Sequence, residues 1–233
     1  MKIAIVTSAP DLVNAHIENT ILKKAVLNNS VSFFIIDIRD YADGQYRQID
    51  DTPFGGGSGM VLMAEPFIKA IDSTFIALGA DIDNTRVVYP SPQGKLWNQD
   101  HVLENVKVEN IIFICGRYKG IDQRIIDKYV THEYSLGDFV ISNGELGSMV
   151  IIDSILRFIP GTMNNIDSAL SDSFSNNLLD HPHYTKPRVI KGLSVPEVLL
   201  GGHHEKIKSW RKHKSEDTTK LKRPDLWKKY NKS

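Results

Sequence analysis

Short apolar runs alternate along this chain with segments whose apolar residues recur at helical spacing. Residues 3–7 (IAIVT) are a run rich in β-branched residues, 13–27 repeat apolar residues at helix period, and 31–38 are a second apolar run. Runs of this length bounded by turns fit strands buried on both faces, so the order strand, helix, strand predicts a β-α-β unit and a parallel sheet. The alternation resumes with a helix over 64–78. Pro66 is tolerated in its first turn, where the N–H that proline lacks would have no intrahelical partner. A strand over 85–89, a helix over 98–106, a strand over 111–115 and a helix over 121–129 follow. The stretch 133–160 (EYSLGDFVISNGELGSMVIIDSILRFIP) begins with short apolar pieces cut by Gly137 and Asp138 and ends as a strongly apolar helix. Ser142, three residues before Glu145, predicts a capping box at the start of that helix. The fold class expected is α/β.

Three glycine-containing loops, 91–94, 116–120 and 136–144, follow predicted strands. Ligands of open α/β sheets sit beyond the carboxyl ends of the strands, so these loops are expected to gather around a binding site. Taken singly, each reads as a tight turn. A polar loop over 39–59 ends in DDTPFGGGSG, with four glycines among residues 55–59. Such a stretch lets backbone pass close to a ligand or to another segment. It lacks the Gly-Lys-Ser/Thr ending of a Walker A phosphate loop, and by itself it reads equally well as a flexible surface loop.

Composition narrows the class. With 233 residues, 41% hydrophobic and 24% charged, the chain has material for a real core in one or two domains. No apolar run approaches the roughly 20 residues of a membrane span, and residues 1–14 read as a first strand and not as a signal peptide. The single cysteine, Cys115, excludes an intrachain disulfide and a Cys-based zinc site, and the expected compartment is the cytoplasm. The formal charge is zero but unevenly placed: residues 203–233 carry eleven Lys/Arg against four acids, net +7, leaving −7 elsewhere. Trp210, Trp227 and Tyr230 interleave with these cations, which predicts a folded basic unit with a polyanionic partner. Residues 161–177, rich in Asn, Ser and Asp, read as a linker or mobile loop. The expected division is an α/β domain over 1–160, a linker over 161–177 and a basic helical domain over 178–233.

Several motifs stand in order along the chain: DDTPFGGGSGM (50–60), SPQG (91–94), CGRYKGID (115–122), residues 137–147, IDSILRFIPG (152–161), DSF (172–174) and LLDHPHYTKP (178–187). Over roughly residues 1–215 they resemble the TrmD family of bacterial tRNA (guanine-N1)-methyltransferases, within the SPOUT superfamily. The resemblance implies methyl transfer from S-adenosylmethionine to N1 of guanosine 37 of tRNA, beside the anticodon. It implies an obligate homodimer with an active site shared between subunits. It also implies a SPOUT-type parallel sheet with a deep trefoil knot, followed by a small, mostly helical C-terminal domain. Nothing in the periodicity shows a knot, and general topology rules argue against one.

Carried over by motif position, Asp172 matches the general base and Arg157 the cation supporting negative charge on the base. The cofactor positions are Tyr89, Pro90, Ser91, Pro92 and Gly94, then Gly116, Arg117 and Tyr118. They continue with Leu136, Gly137, Asp138, Phe139, Val140, Ile141, Asn143, Gly144 and Gly147. Asp51, Gly56, Gly57 and His183 match the part that receives the target guanosine, whose base must be splayed from the anticodon loop. His181 and His183 lack companions at zinc-ligand spacing, so no metal site is expected, and both are read as RNA contacts or linker caps. Assistance by Mg2+ is left open, since no ligand cluster is visible. The chain departs from the family pattern at Lys119 (usually Glu), Asn143 (usually Gly), Gly147 (usually Pro), Pro90 (usually Leu) and Ala9-Pro10 (commonly Phe-Pro). These departures bear on pocket shape and on the first turn.

The chemistry sets a requirement. Guanine N1–H is about as weak an acid as tyrosine, roughly pKa 10, against about 3.9 for an ordinary aspartic acid. Complete prior deprotonation by Asp would cost about 8 kcal/mol at 1.36 per unit, so a raised base or positive charge near O6 must reduce the gap. Asp172 lies in the polar linker, as expected of a base delivered when tRNA orders that segment. Arg157 stands on an otherwise apolar helix, where arginine needs a partner or a ligand. Two other readings stay open at this point: a related methyltransferase acting on another RNA position, and a non-catalytic RNA-binding protein that keeps only the fold.

Overall fold

In the computed structural model, residues 1–19, 21–163, 169 and 171–232 are described. They open with β1 (Lys2–Thr7), α1 (Pro10–Asn19), α2 (Ile21–Leu27), β2 (Ser32–Asp37), β3 (Asp50–Asp51), β4 (Val61–Leu62) and α3 (Ala64–Leu78). Then come β5 (Thr85–Leu96), α4 (Gln99–Asn105), β6 (Asn110–Ile114), α5 (Gln123–Tyr129), β7 (His132–Ser135) and α6 (Gly144–Leu156). Five strands form one parallel sheet in the order β2-β1-β6-β5-β7, so the chain is α/β with helices on both faces.

The period of two explains the layers. Ile3 and Ile5 of β1 and Ile111 and Phe113 of β6 bury into one cluster, joined by Leu22 and Ala25 of α2 and Ile151, Ile152 and Ile155 of α6. The intervening Ala4, Val6, Ile112 and Ile114 bury into a second cluster with Phe67, Ala70 and Ile71 of α3 and Ile125 of α5. Both faces of the central strands are therefore apolar, which is why these strands read as unbroken apolar runs.

Three local expectations need correction. The strand expected to stop at residue 89 continues to Leu96. Pro90 and Lys95 both oppose Tyr134, so residues 91–94 bulge out of a continuing strand and do not form the loop after it. The prolines cannot donate to a ladder. At residue 94 the chain presses so close to its neighbour that a Cβ would lie 2.4 Å from the Tyr134 backbone nitrogen, a space that only glycine fits. The 39–59 loop is not wholly irregular, since it holds a 3-10 turn at Ile38–Tyr41 and the β3 residues that pair antiparallel with β4. The α6 cap is Asn143, whose Oδ1 accepts from the Leu146 N–H at 3.1 Å, and not Ser142. Glu145 is fully buried and turned to other partners.

The described residues fall into two compact units, Met1–Asn164 and Asn165–Ser233. The second holds a small hairpin (Val189–Ile190 with Leu193–Ser194), a 3-10 turn at Glu197–Leu199, and helices at His204–Lys222 and Pro224–Tyr230. Its helices meet through buried Leu226 and a hydrogen bond from the Tyr230 hydroxyl to Glu216 Oε1 at 3.0 Å. Thr219 Oγ1 accepts from the Leu179 N–H at 2.8 Å and so ties the 178–187 segment to the longer helix. Of the linker expected over 161–177, residues 164–168 and 170 lie outside the described residues. Among the described residues, no helix is long and apolar enough to cross a membrane.

Candidate active site

A cavity of about 300 Å³ opens at the carboxyl ends of β6 and β7 and beside the bulge of β5. Its walls are Tyr89 to Pro92 from β5, Gly116 to Gly120 after β6, and Tyr134 to Gly137, Phe139 to Gly144 and Gly147 from β7 through the start of α6. The 116–120 and 136–144 loops therefore do converge, and they meet the bulged middle of β5 in place of a third loop. Every cofactor position carried over by motif lines the cavity except Gly94 and Asp138. Gly94 is accounted for by the close strand packing described above, and Asp138 is exposed.

Backbone makes the wall. The Gly144 N–H donates to the Gly116 carbonyl at 2.7 Å, and Arg117 and Asn143 form an isolated antiparallel bridge beside it. A Cβ on Gly144 would lie 2.7 Å from the Gly116 nitrogen and 3.0 Å from Cys115 Cα, atoms that cannot swing aside. A Cβ on Gly116 would lie 2.8 Å from the Tyr89 hydroxyl oxygen. The turn at residues 117–120 closes with Gly120 N–H to Arg117 O at 2.8 Å and holds Tyr118 at φ 58°.

The base of the site holds a network that sequence reasoning missed. Glu145 Oε1 accepts from Thr7 Oγ1 at 2.6 Å, and Thr7 Oγ1 accepts from the Ala9 N–H at 2.9 Å. Arg117 Nε lies 3.9 Å from Glu145 Oε2. This buried carboxylate joins the end of β1 to the loop after β6. Burial, reinforced by the Glu145 charge, pushes the Cys115 thiol well above its ordinary range, so it is neutral, and its Sγ shares a 3.4 Å hydrogen bond with Ser148 Oγ. Burial, with the Glu133 charge, also raises the Tyr89 phenol.

The glycine-rich stretch reaches the cavity rim. Lys119 N–H donates to Met60 O and Leu62 N–H to Gly120 O, both at 3.1 Å, which laces the stretch to the 116–120 loop. Gly55, Gly56, Gly57 and Gly59 all have positive φ, and the Lys119 stem lies against Gly59. Asp51 faces a second cavity, between β3, β4, α3 and α5. Arg157 is half-buried at the C-terminal cap of α6. Asp172, also half-buried, belongs to the second compact unit. In that unit His183 Nε2 lies 2.8 Å from Asp180 Oδ2, and the Asp180 N–H donates to Ser173 Oγ at 2.9 Å. Burial opposes the Asp180 charge, yet the His183 and backbone hydrogen bonds outweigh it and hold the carboxyl below its ordinary range.

Fold and cavity together define an α/β protein with a backbone-walled ligand site at the carboxyl ends of a parallel sheet. Over residues 1–229 the chain matches the family model described as tRNA (Guanine-1)-methyltransferase TrmD, and it belongs to that family. A protein of Buchnera aphidicola subsp. Schizaphis graminum named tRNA (guanine-N(1)-)-methyltransferase is 47% identical over 224 residues, covering 96% of this chain and 84% of its own length. A protein of the same name from Clostridioides difficile is 44% identical over 231 residues, covering 99% of each. One from Listeria monocytogenes is 42% identical over 230 residues, covering 99% of this chain and 93% of its own. Pro90 and Gly147, both in the cavity lining, lie against each other in its wall. A Cβ on Gly147 would lie 3.1 Å from Pro90 Cβ.

Proposed function

We propose that this chain transfers the methyl group of S-adenosylmethionine to N1 of guanosine 37 of tRNA, working in the cytoplasm as a homodimer. One observation carries the reading: in a chain of this family, the loops after two parallel strands and the bulge of the strand between them wall one cavity. The residues suit an adenosine group. Pro90, Leu136, Phe139, Val140 and Ile141 offer apolar surface, and Gly116 and Gly144 bring N–H and C=O groups close where a side chain would intrude. The bound cofactor would supply a methyl group already activated by its positive sulfonium.

The chain's own task is then the acceptor. Asp172 would take the N1 proton, while Arg157 would offset negative charge building on guanine O6. Asp51, Gly56, Gly57 and His183 would hold the splayed base. We read the sheet as the trefoil-knotted SPOUT core. The reading draws on β6 lying between β1 and β5, and on the close passage of residue 144 beside residue 116. Methyl-labelled S-adenosylmethionine with tRNA transcripts carrying guanosine or adenosine at position 37 tests the reaction. Label is expected in the first transcript only, and equal labelling of both would refute the assignment.

The dimer reading is supported by apolar side chains left open beside the cavity. Val140 is 86% exposed, Leu146 46% and Val150 53%, and the last two stand four apart on one face of α6. The double substitution Leu146→Lys, Val150→Lys is expected to shift the protein to monomer in sedimentation velocity and to abolish most methyl transfer. A variant that stays dimeric places the interface elsewhere.

A further inference from the structure

Asp180, His181 and His183 bring one carboxylate oxygen and two imidazole nitrogens within 4.8 Å of one another, the one cluster of metal-ligand groups among the described residues. The sequence reading counted only the two histidines. The fold adds Asp180: the imidazole centroids stand 4.4 Å apart, with the carboxylate near both. His183 Nε2 is 2.8 Å from Asp180 Oδ2, and His181 Nε2 is 3.7 Å from Asp180 Oδ1. Tetrahedral coordination with metal–ligand bonds of about 2.0–2.1 Å sets ligand atoms roughly 3.3 Å apart, between those two spacings. The three ligand atoms lie within 4.8 Å of one another, so drawing all of them to that spacing takes side-chain rotation of up to about 1.5 Å, which the exposed His183 ring can supply.

The outer contacts favour it. His181 Nδ1 lies 3.2 Å from the Pro182 carbonyl, which can only accept. Nδ1 is therefore the donor in that contact, and Nε2 is the ring nitrogen that faces Asp180 and would bind an ion. His183 gives up only the proton it shares with Asp180. Its side chain is 68% exposed, which leaves a fourth position open to water. Two imidazoles and one carboxylate select zinc, nickel or copper over magnesium or calcium.

We propose that Asp180, His181 and His183 form a site for a divalent transition metal whose occupancy inhibits methyl transfer. The inhibition rests on the methyltransferase reading above, whereas the binding does not. A bound ion would occupy His183, one of the residues proposed to hold the guanosine. It would also fix Asp180, whose backbone N–H is bonded to Ser173, next to the proposed base Asp172.

The test uses the full chain, stripped with a chelator, and zinc chloride as the probe. Competition with a chromophoric chelator is expected to show one zinc per chain for the wild type, and affinity weaker by about tenfold or more for His181→Ala. Simultaneous substitution of His203 and His204, two neighbouring histidines outside the cluster, should leave the affinity unchanged. In transfer assays, zinc at saturating levels is expected to inhibit the wild type, with the His181→Ala variant requiring correspondingly more. No zinc binding, or equal binding by wild type and His181→Ala, overturns the site. Stoichiometric binding with unchanged transfer overturns the inhibition alone. A wild type that never methylates tRNA overturns the methyltransferase reading and leaves the binding result intact.

Discussion

Asp172→Ala is expected to lower methyl transfer to tRNA by at least about 10²-fold, the usual scale for removing a general base. Affinity for S-adenosylmethionine should be unchanged, because Asp172 is not among the residues that wall the cavity. Asp172→Asn should fail as badly, since the amide keeps the shape but cannot take a proton. Single-turnover transfer with saturating tRNA is the suitable measurement, because it separates the chemical step from binding and release. A variant with nearly full activity would keep the reaction but move the base to another residue.

Gly144→Ala is expected to have the other large effect, on the cofactor site itself. The added methyl would meet the backbone of residues 115 and 116 at 2.7–3.2 Å, with no flexible side chain to give way. It would open the Gly144–Gly116 hydrogen bond that holds two walls of the cavity together. Overpacking of this kind costs about 1–3 kcal/mol, and a wall moved by even a fraction of an ångström no longer fits an adenine edge. Urea denaturation should show the lost stability, and calorimetry a cofactor affinity lowered by about tenfold or more. Gly94→Ala makes the informative comparison. It meets the Glu133 and Tyr134 backbone as closely but lies outside the cavity, so it should destabilise the fold first. Unchanged cofactor affinity in Gly144→Ala would remove the 116–144 contact from the site.

The sheet was legible in the sequence because both of its faces are buried. Residues 3–6 and 111–114 carry no polar residue to interrupt the pattern, so strand identity and parallel pairing followed from the runs alone. Two walls of the cavity were legible for a related reason, since the loops after β6 and β7 leave the carboxyl ends of strands in one sheet; the third is a bulge inside β5. What escaped was set by contacts distant in sequence. Glu145 looks like a capping residue until Thr7, 138 positions away, is brought beneath it. The true end of β5 was hidden because Pro90 and Pro92 read as a stop, whereas pairing with β7 resumes at Lys95. Between Ser142 and Asn143, both good cap formers, local propensity cannot choose; the bridge between Asn143 and Arg117 shows which one the tertiary fold places at the helix start. Asp180 was overlooked because its closeness to both imidazoles depends on side-chain placement, which spacing alone does not reveal.

The central claim is the identity and position of the methylated base. Wild-type protein would be incubated with S-adenosylmethionine and an unmodified tRNA carrying guanosine 37, and the RNA then digested and mapped by mass spectrometry. The account predicts 1-methylguanosine at position 37 and nowhere else. Methyl groups on another base or at another position, or none despite bound cofactor, would contradict it.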